Sequence, residues 1–284
     1  MICDQETNFL YLADSLYKNK YSDFLCSLES LLRKHSILFN FIPKTEDIWA
    51  VDFMPIQIDA NKFVQFKYKP DYLHSEKELK TISDVDSICE ALKFAPLKSK
   101  LVLDGGNIVR TKNKIIMCDK IFKENADMKE KEVIYELKNL FEIDDLFFVP
   151  WDKKSDIIGH ADGMVRFVDN HTVVINDYSK EKPEFQRAFR MALHNAKLDW
   201  IEVPYNPYNN TTKISAEGIY LNYLQMEQLI IVPTFKRKED DEAVNVLEQI
   251  FKGQTVVPID SNVIAREGGI LNCISWNIYE PPAG

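Results

Sequence analysis

The sequence contains no C-x-x-C pair and only five cysteines (Cys3, Cys26, Cys89, Cys118 and Cys273), an odd set that suggests neither a disulfide framework nor a structural zinc site. Free thiols are expected, with Cys3, Cys26, Cys89 and Cys118 as small structural residues. Glycine is scarce, nine in 284 residues, yet 45% of the chain is hydrophobic and 12% aromatic, which excludes a disordered chain and indicates a packed globule. Positive charge is also short: 35 Lys and Arg stand against 44 Asp and Glu, a formal net charge of −9. A nucleic-acid partner would have to be met by a basic patch acting against that field. Short mixed runs such as Lys236-Arg237-Lys238, followed at once by Glu239-Asp240-Asp241, read as solvated loops. No apolar run approaches the ~20 residues of a membrane-spanning helix, and Met1–Gln5 lacks the basic start and apolar stretch of a signal peptide. The expectation is a soluble, cytoplasmic protein with no nucleic-acid and no membrane partner.

What is present is a repeat. A proline follows an apolar, strand-like stretch at Pro43, Pro96, Pro150, Pro204 and Pro258, at intervals of 53, 54, 54 and 54 residues. Before each lies a segment of helical period, such as Phe24–Leu32, Val133–Phe141 and Ala243–Phe251. After each come strand-like runs, such as Phe63–Tyr68, Lys114–Cys118, Thr172–Asn176 and Gln228–Val232. The implied unit is helix, strand, loop, strand, turn, strand, with the proline ending a strand because it cannot donate to a ladder. One such unit cannot bury its apolar faces, whereas five around an axis cover one another. The α/β chain is therefore expected to form one domain over residues 1–284, with the loops after the five marks converging at one end of the axis.

Those loops carry the reactive side chains. The first holds Trp49-Ala50-Val51-Asp52, the second Asp104-Gly105-Gly106-Asn107 and the third Gly159-His160-Ala161-Asp162-Gly163. The fourth holds Tyr220-Leu221-Asn222-Tyr223 and the fifth Glu267-Gly268-Gly269-Ile270-Leu271-Asn272-Cys273. By type the set contains one thiol, one imidazole, several carboxylates and glycine pairs that admit close backbone approach. A thiol attacks as thiolate, and an imidazole or a cationic substrate beside it lowers its pKa. Two or more carboxylates in one pocket suit a planar cation with several N–H donors, and guanidinium fits that description best.

The four motifs Trp-Ala-Val-Asp, Asp-Gly-Gly-Asn, Gly-His-Ala-Asp-Gly and Gly-Gly-Ile-Leu-Asn-Cys resemble, in order and spacing, the signatures of the agmatine deiminase and bacterial-type peptidylarginine deiminase family of the guanidine-modifying superfamily. The resemblance runs from about Asn8 to Trp276. It implies the five-bladed, pseudo-symmetric α/β-propeller called the pentein fold, no metal and no organic cofactor. It also implies a small cationic guanidino substrate, and it is compatible with a homodimer. Position by position, Cys273 matches the nucleophile, His160 the general acid and base, and Asp52 and Asp162 the carboxylates that hold the guanidinium nitrogens. Trp49, Asp104 and Asn222 match positions at the substrate. The intermediate would be a covalent S-alkylthiouronium, and the products a ureido compound and ammonia. Val51, Asp104 and Asn272 depart from the family's usual Arg, Glu and His.

Several positions stay open to a plainer reading. Asp52 and Asp162 also suit turns or caps, Asp104 begins a common Asp-Gly turn, Asn222 suits a hydrogen-bonded strand position, and Trp49 either walls the pocket or fills the core. His35, His74, His171 and His194 have no carboxylate-rich motif around them. A deiminase of agmatine or a similar compound is the expected function. An arginine or peptidylarginine deiminase, an amidinotransferase using the same intermediate, and a noncatalytic pentein-fold binding protein are the alternatives.

Overall fold

The computed structural model describes residues 1–153 and 156–282. The chain begins with β1 (Phe9–Ala13), helix α1 (Ser22–Lys34) and β2 (Leu38–Ile42), then runs four times through a two-stranded hairpin, a helix and a third strand. The first of these units is β3 (Ile56–Asp59), β4 (Lys62–Lys67), α2 (Val85–Leu92) and β5 (Leu97–Val102). The second is β6 (Val109–Arg110), β7 (Lys114–Cys118), α3 (Glu130–Phe141) and β8 (Asp145–Val149). The third is β9 (Val165–Phe167), β10 (Thr172–Asn176), α4 (Pro183–Asn195) and β11 (Asp199–Val203). The fourth is β12 (Leu224–Met226), β13 (Leu229–Thr234), α5 (Asp240–Ile250) and β14 (Thr255–Asp260), after which β15 (Ser275–Ile278) ends the regular structure.

Five three-stranded sheets result, and β15 completes the sheet of β1 and β2, so the two ends of the chain close the ring. In each sheet the middle strand pairs antiparallel with the first and parallel with the third, as β10 does with β9 and β11. A parallel pair needs a crossover, and the helix supplies it. The architecture is a five-bladed α/β propeller. Inner strands β9, β12 and β15 are buried throughout, whereas β11 exposes four of its five residues. The helices fill the spaces between blades with one apolar stripe each. In α1 that stripe is Phe24, Leu25, Leu28 and Leu32, spaced as one helical face requires. Each such side chain stabilises the fold by roughly 1.5–3 kcal/mol when fully buried. The closure is pinned by the Asn8 side chain on the Glu280 backbone: Asn8 Nδ2 donates to the Glu280 carbonyl at 2.9 Å, and the Glu280 N–H donates to Asn8 Oδ1 at 2.7 Å.

The repeat is real, but its punctuation is not uniform. Pro43, Pro150 and Pro204 directly follow β2, β8 and β11, as expected. Pro96 instead precedes β5, and Pro258 lies inside β14 opposite Val232. The outer strand of a blade needs ladder donors on one side only, so a proline is tolerated at its start, within it or just after it. The unit read from the sequence also straddled two blades: its loop is the connection from the third strand of one blade to the first strand of the next. Cys26 differs from expectation as well, being exposed on α1 while Cys3, Cys89 and Cys118 are buried. No helix among the described residues is long and apolar enough to cross a membrane.

Candidate functional site

The five inter-blade connections meet at one end of the ring, where a cavity of about 880 Å³ is lined by Trp49, Asp52, His160, Asp162, Asn222 and Cys273 among others. Each connection holds its reactive residue by local chemistry. After β2, Asp14 accepts from the N–H groups of Lys44 and Thr45 at 2.7 and 2.9 Å, and Asp47 Oδ1 accepts from the Trp49 N–H at 2.8 Å. The chain then turns into a one-turn helix, Ala50–Phe53, which buries Asp52. The N–H of Val51 donates to the Cys273 carbonyl at 3.3 Å, coupling the first connection to the last. Val51 thus serves the site through its backbone.

The Gly105-Gly106 pair is required by space. A Cβ on Gly105 would fall 2.0 Å from the Val51 carbonyl oxygen, and one on Gly106 would fall 2.7 Å from both Asp52 Oδ1 and His160 Nδ1. The Gly106 N–H uses that closeness to donate to Asp52 Oδ1 at 2.9 Å. Gly106→Ala should therefore leave the circular dichroism spectrum native but lower turnover by about 10²-fold, since a displacement near 1 Å at a reacting group costs that much.

His160 stands between two carboxylates, with Nε2 3.1 Å from Asp104 Oδ2 and Nδ1 3.5 Å from Asp52 Oδ1. Burial works against its charge, but Asp52, Asp104 and Asp162 together outweigh burial and hold the imidazole pKa up to about 10. For Asp52, burial is the largest influence. Together with the neighbouring carboxylates it raises the acid to about 8 against the pull of the imidazolium. On the other side of the site, Asp162 Oδ2 accepts from Asn222 Nδ2 at 2.8 Å and Asn272 Nδ2 at 2.7 Å. Cys273 Sγ lies 3.9 Å from the same oxygen. Asn222 Oδ1 takes the N–H groups of Asn272 at 3.1 Å and Cys273 at 3.3 Å, which locks the thiol-bearing turn. Burial and then the charges of Asp162 and Asp52 push the Cys273 thiol well above the ordinary range. Burial and the neighbouring acidic groups thus favour the thiol over the thiolate.

Trp49 does both things open to it: it lines the cavity and packs on the core cluster around Tyr220 and Leu271. Asn222 lies in the connection before β12 and bridges two loops. Asp104 requires a correction. It is 1% exposed, does not line the cavity, and binds His160 and the Tyr72 hydroxyl, which donates at 3.2 Å. It stands on the side of the imidazole away from the cavity, because the Asp-Gly-Gly turn packs beneath the His160 loop.

Three contributors were given no role by the motifs, one of them within a motif and two outside. Asn272 is a working part of the amide pair on Asp162. Lys120 is 1% exposed; it pairs with Asp71 at 2.8 Å and Glu124 at 3.2 Å, and donates to the Ile158 carbonyl at 2.6 Å, two residues before His160. The only trace of that role in the sequence is a lysine one turn from Glu124. Arg237, expected to be solvated, binds the Asn206 carbonyl and Asn210 Oδ1, the latter at 2.6 Å, and so ties down the connection between β11 and β12. Lys236 and Lys238 are exposed. Among the described residues no group of three or more His, Cys, Asp or Glu is arranged to hold a metal ion.

Comparison with known proteins points the same way. Residues 3–278 match the family profile described as Porphyromonas-type peptidyl-arginine deiminase. A curated relative from Photobacterium profundum, named provisionally as an agmatine deiminase, is 20% identical across 96% of this chain and 87% of its own. The match to a similarly named relative from Mycoplasma mycoides subsp. mycoides, 21% identical, takes in 66% of this chain and only 60% of that protein. Among solved structures, C. jejuni agmatine deiminase superposes with a TM-score of 0.78 at 18% identity, over 98% of this chain and 95% of that one. At that identity the likeness establishes the fold.

Proposed function

Because the chain belongs to the Porphyromonas-type peptidyl-arginine deiminase family, hydrolases of carbon–nitrogen bonds in linear amidines, we propose that it converts a small guanidino compound, agmatine or a close analogue, to the ureido product and ammonia on Cys273. The observation that carries this reading is the meeting of a buried thiol, two cavity-facing carboxylates and a protonated imidazole on one cavity.

Guanidinium is delocalised and a poor electrophile, so the site must orient it and bring a strong nucleophile. Asp52 and Asp162 grip its nitrogens through charge-assisted hydrogen bonds. The cation offsets the carboxylate field that holds the thiol neutral, so substrate binding itself favours the thiolate. Sulfur attacks the guanidinium carbon. The imidazolium of His160, whose Nδ1 already faces Asp52, protonates the departing amino group, and ammonia leaves the thiouronium. Neutral His160 then takes a proton from water as the oxygen attacks that carbon; the C–S bond breaks, the hydroxyl proton passes to the departing sulfur, and the neutral ureido product leaves with Cys273 back as a thiol.

A proton balance follows. Burial, set against the pull of the imidazolium, shifts the Asp52 carboxyl above the ordinary range, and guanidinium favours the ionised carboxylate. Binding should therefore release a proton, up to one, and kcat/KM should rise with pH by up to about tenfold per unit until the Asp52–His160 pair carries the ionised carboxylate before substrate arrives. Calorimetry of ligand binding to Cys273→Ala in buffers of different ionisation enthalpy reads that proton directly. An affinity independent of pH would contradict the assignment of Asp52.

Agmatine is preferred over arginine because acidic side chains outnumber basic ones in the cavity lining: Glu46, Asp47, Asp156 and Glu181 stand there beside the two site carboxylates, against Lys18, Lys20 and Lys213, a balance that favours a second positive charge. The test is incubation with agmatine, arginine and a peptide ending in arginine, reading ammonia and ureido product. Product from agmatine alone establishes the reading, and product from arginine keeps the chemistry and changes the substrate. Guanidino transfer to an amine without its hydrolysis makes the protein an amidinotransferase, and no product from any of them favours the binding-protein alternative.

A further inference from the structure

A single imidazole that serves as acid and then as base works best when its pKa lies near the operating pH. The carboxylates around His160 pull it higher. Asp104 faces it from the second connection, Asp52 from the Ala50–Phe53 turn and Asp162 from its own turn, and together they outweigh the burial that opposes the imidazolium. Glu124 and Asp156 also lie within its field, and Lys120 is paired with the first of these. An acid that holds its proton so firmly is slow to give it to a leaving amine. Once neutral, it is soon reprotonated before water can use it as a base.

One hydroxyl works against that excess. Tyr72, in the connection between β4 and α2, donates to Asp104 Oδ2 at 3.2 Å, and His160 Nε2 lies 3.1 Å from the same oxygen. Asp104 Oδ1 is buried with no partner among the described residues, so both donors draw on one oxygen. A hydrogen bond to a carboxylate stabilises its charge and lowers its affinity for a further proton. Burial, with Tyr68, Asp104 and Asp52 nearby, pushes the Tyr72 phenol well above its ordinary range, so the hydroxyl keeps the proton that it donates. The ring is held independently of that hydroxyl. It meets the His160 ring edge to face at 6.5 Å, Lys120 Nζ lies 5.1 Å from its centre, and the adjoining Asp71 pairs with Lys120 at 2.8 Å and Lys123 at 2.7 Å.

We propose that Tyr72 is a positioning residue that acts through Asp104: its hydroxyl shares Asp104 Oδ2 with His160 Nε2 and so weakens the hold of that carboxylate on the imidazolium proton. The inference rests on the deiminase reading, in which His160 must both give a proton and take one. No motif of the sequence contains Tyr72, and its partner lies 32 residues further along the chain.

Tyr72→Phe tests it, since it removes the hydroxyl and keeps the ring. Rapid quenching with mass spectrometry of the Cys273 adduct follows formation and hydrolysis of the thiouronium separately. Near pH 7 both steps should slow, hydrolysis by about threefold to tenfold, as an upward shift of up to one unit implies. An S-methylisothiourea analogue, whose thiol leaving group needs less protonation, should restore the first step, and higher pH should restore the second. In an Asp104→Asn background the loss of the hydroxyl should add nothing. Slowing that neither change restores, a loss confined to KM, or an equal loss in the Asp104→Asn background overturns the proposal. Protein labelled with 15N-histidine gives a readout free of turnover. The His160 Nε2–H signal, identified by its loss in His160→Gln, should move downfield in Tyr72→Phe as Asp104 becomes the stronger acceptor. Should no guanidine be turned over, the deiminase reading fails separately and that signal decides, an unmoved proton overturning the role of Tyr72.

Discussion

Cys273→Ala is expected to abolish ureido product, by at least about 10⁴-fold, the order of loss when a covalent nucleophile is removed. The binding groups are held by bonds that do not involve sulfur. Asp52 is fixed by the Gly106 N–H, and Asp162 by the amides of Asn222 and Asn272. The variant should therefore bind an alkylguanidine within a few-fold of wild type. Sγ lies 3.9 Å from Asp162 Oδ2, a long contact, so the thermal midpoint should move by no more than about 4 °C. Retained turnover would remove Cys273 from the mechanism. Lost binding together with lost turnover would mean that the thiol organises the site instead of reacting in it.

His160→Gln carries the next largest effect. It removes the proton donor for ammonia and the base for water, each a contribution of about 10²–10⁴-fold for a positioned group. It also leaves Asp104, whose Oδ1 has no partner in the described structure, without the imidazolium at 3.1 Å. The two losses separate in single-turnover measurement. If His160 acts as acid and then base, both thiouronium formation and its hydrolysis slow down, and a substrate with a better leaving group than ammonia restores the first step alone. If His160 only shapes the pocket, the better leaving group brings no rescue and the loss appears in KM.

The periodic helices and strands were legible because burial imposes their spacing. The apolar stripe of α1 and the buried run of β13 are written in residue types. Gly105-Gly106 was legible as a close approach, though not what it approaches. The punctuation misled at Pro96 and Pro258 because an outer strand tolerates proline at several places, so even spacing along the chain did not mean equivalent places in the blades. Asn272 looked like a departure from the family pattern, and its amide nitrogen proves to be a donor to Asp162. Asp104 looked like a ligand for substrate and is a partner for His160. In both cases the residue type was visible and its neighbour was not, because the partners lie 110 and 56 residues away.

The sequence by itself determined the blade composition, the five loops that carry reactive groups, and the identity of one thiol and one imidazole among them, since each follows from local periodicity and side-chain chemistry. Only the tertiary structure decided which carboxylate faces the cavity and which stands behind His160, that Lys120 and Arg237 anchor the loops around the site, and that β15 closes the ring on β1. Those outcomes depend on distances between segments far apart in the chain. Such distances are set by how five apolar blades pack around a common axis, a property of the whole ring that no local stretch encodes.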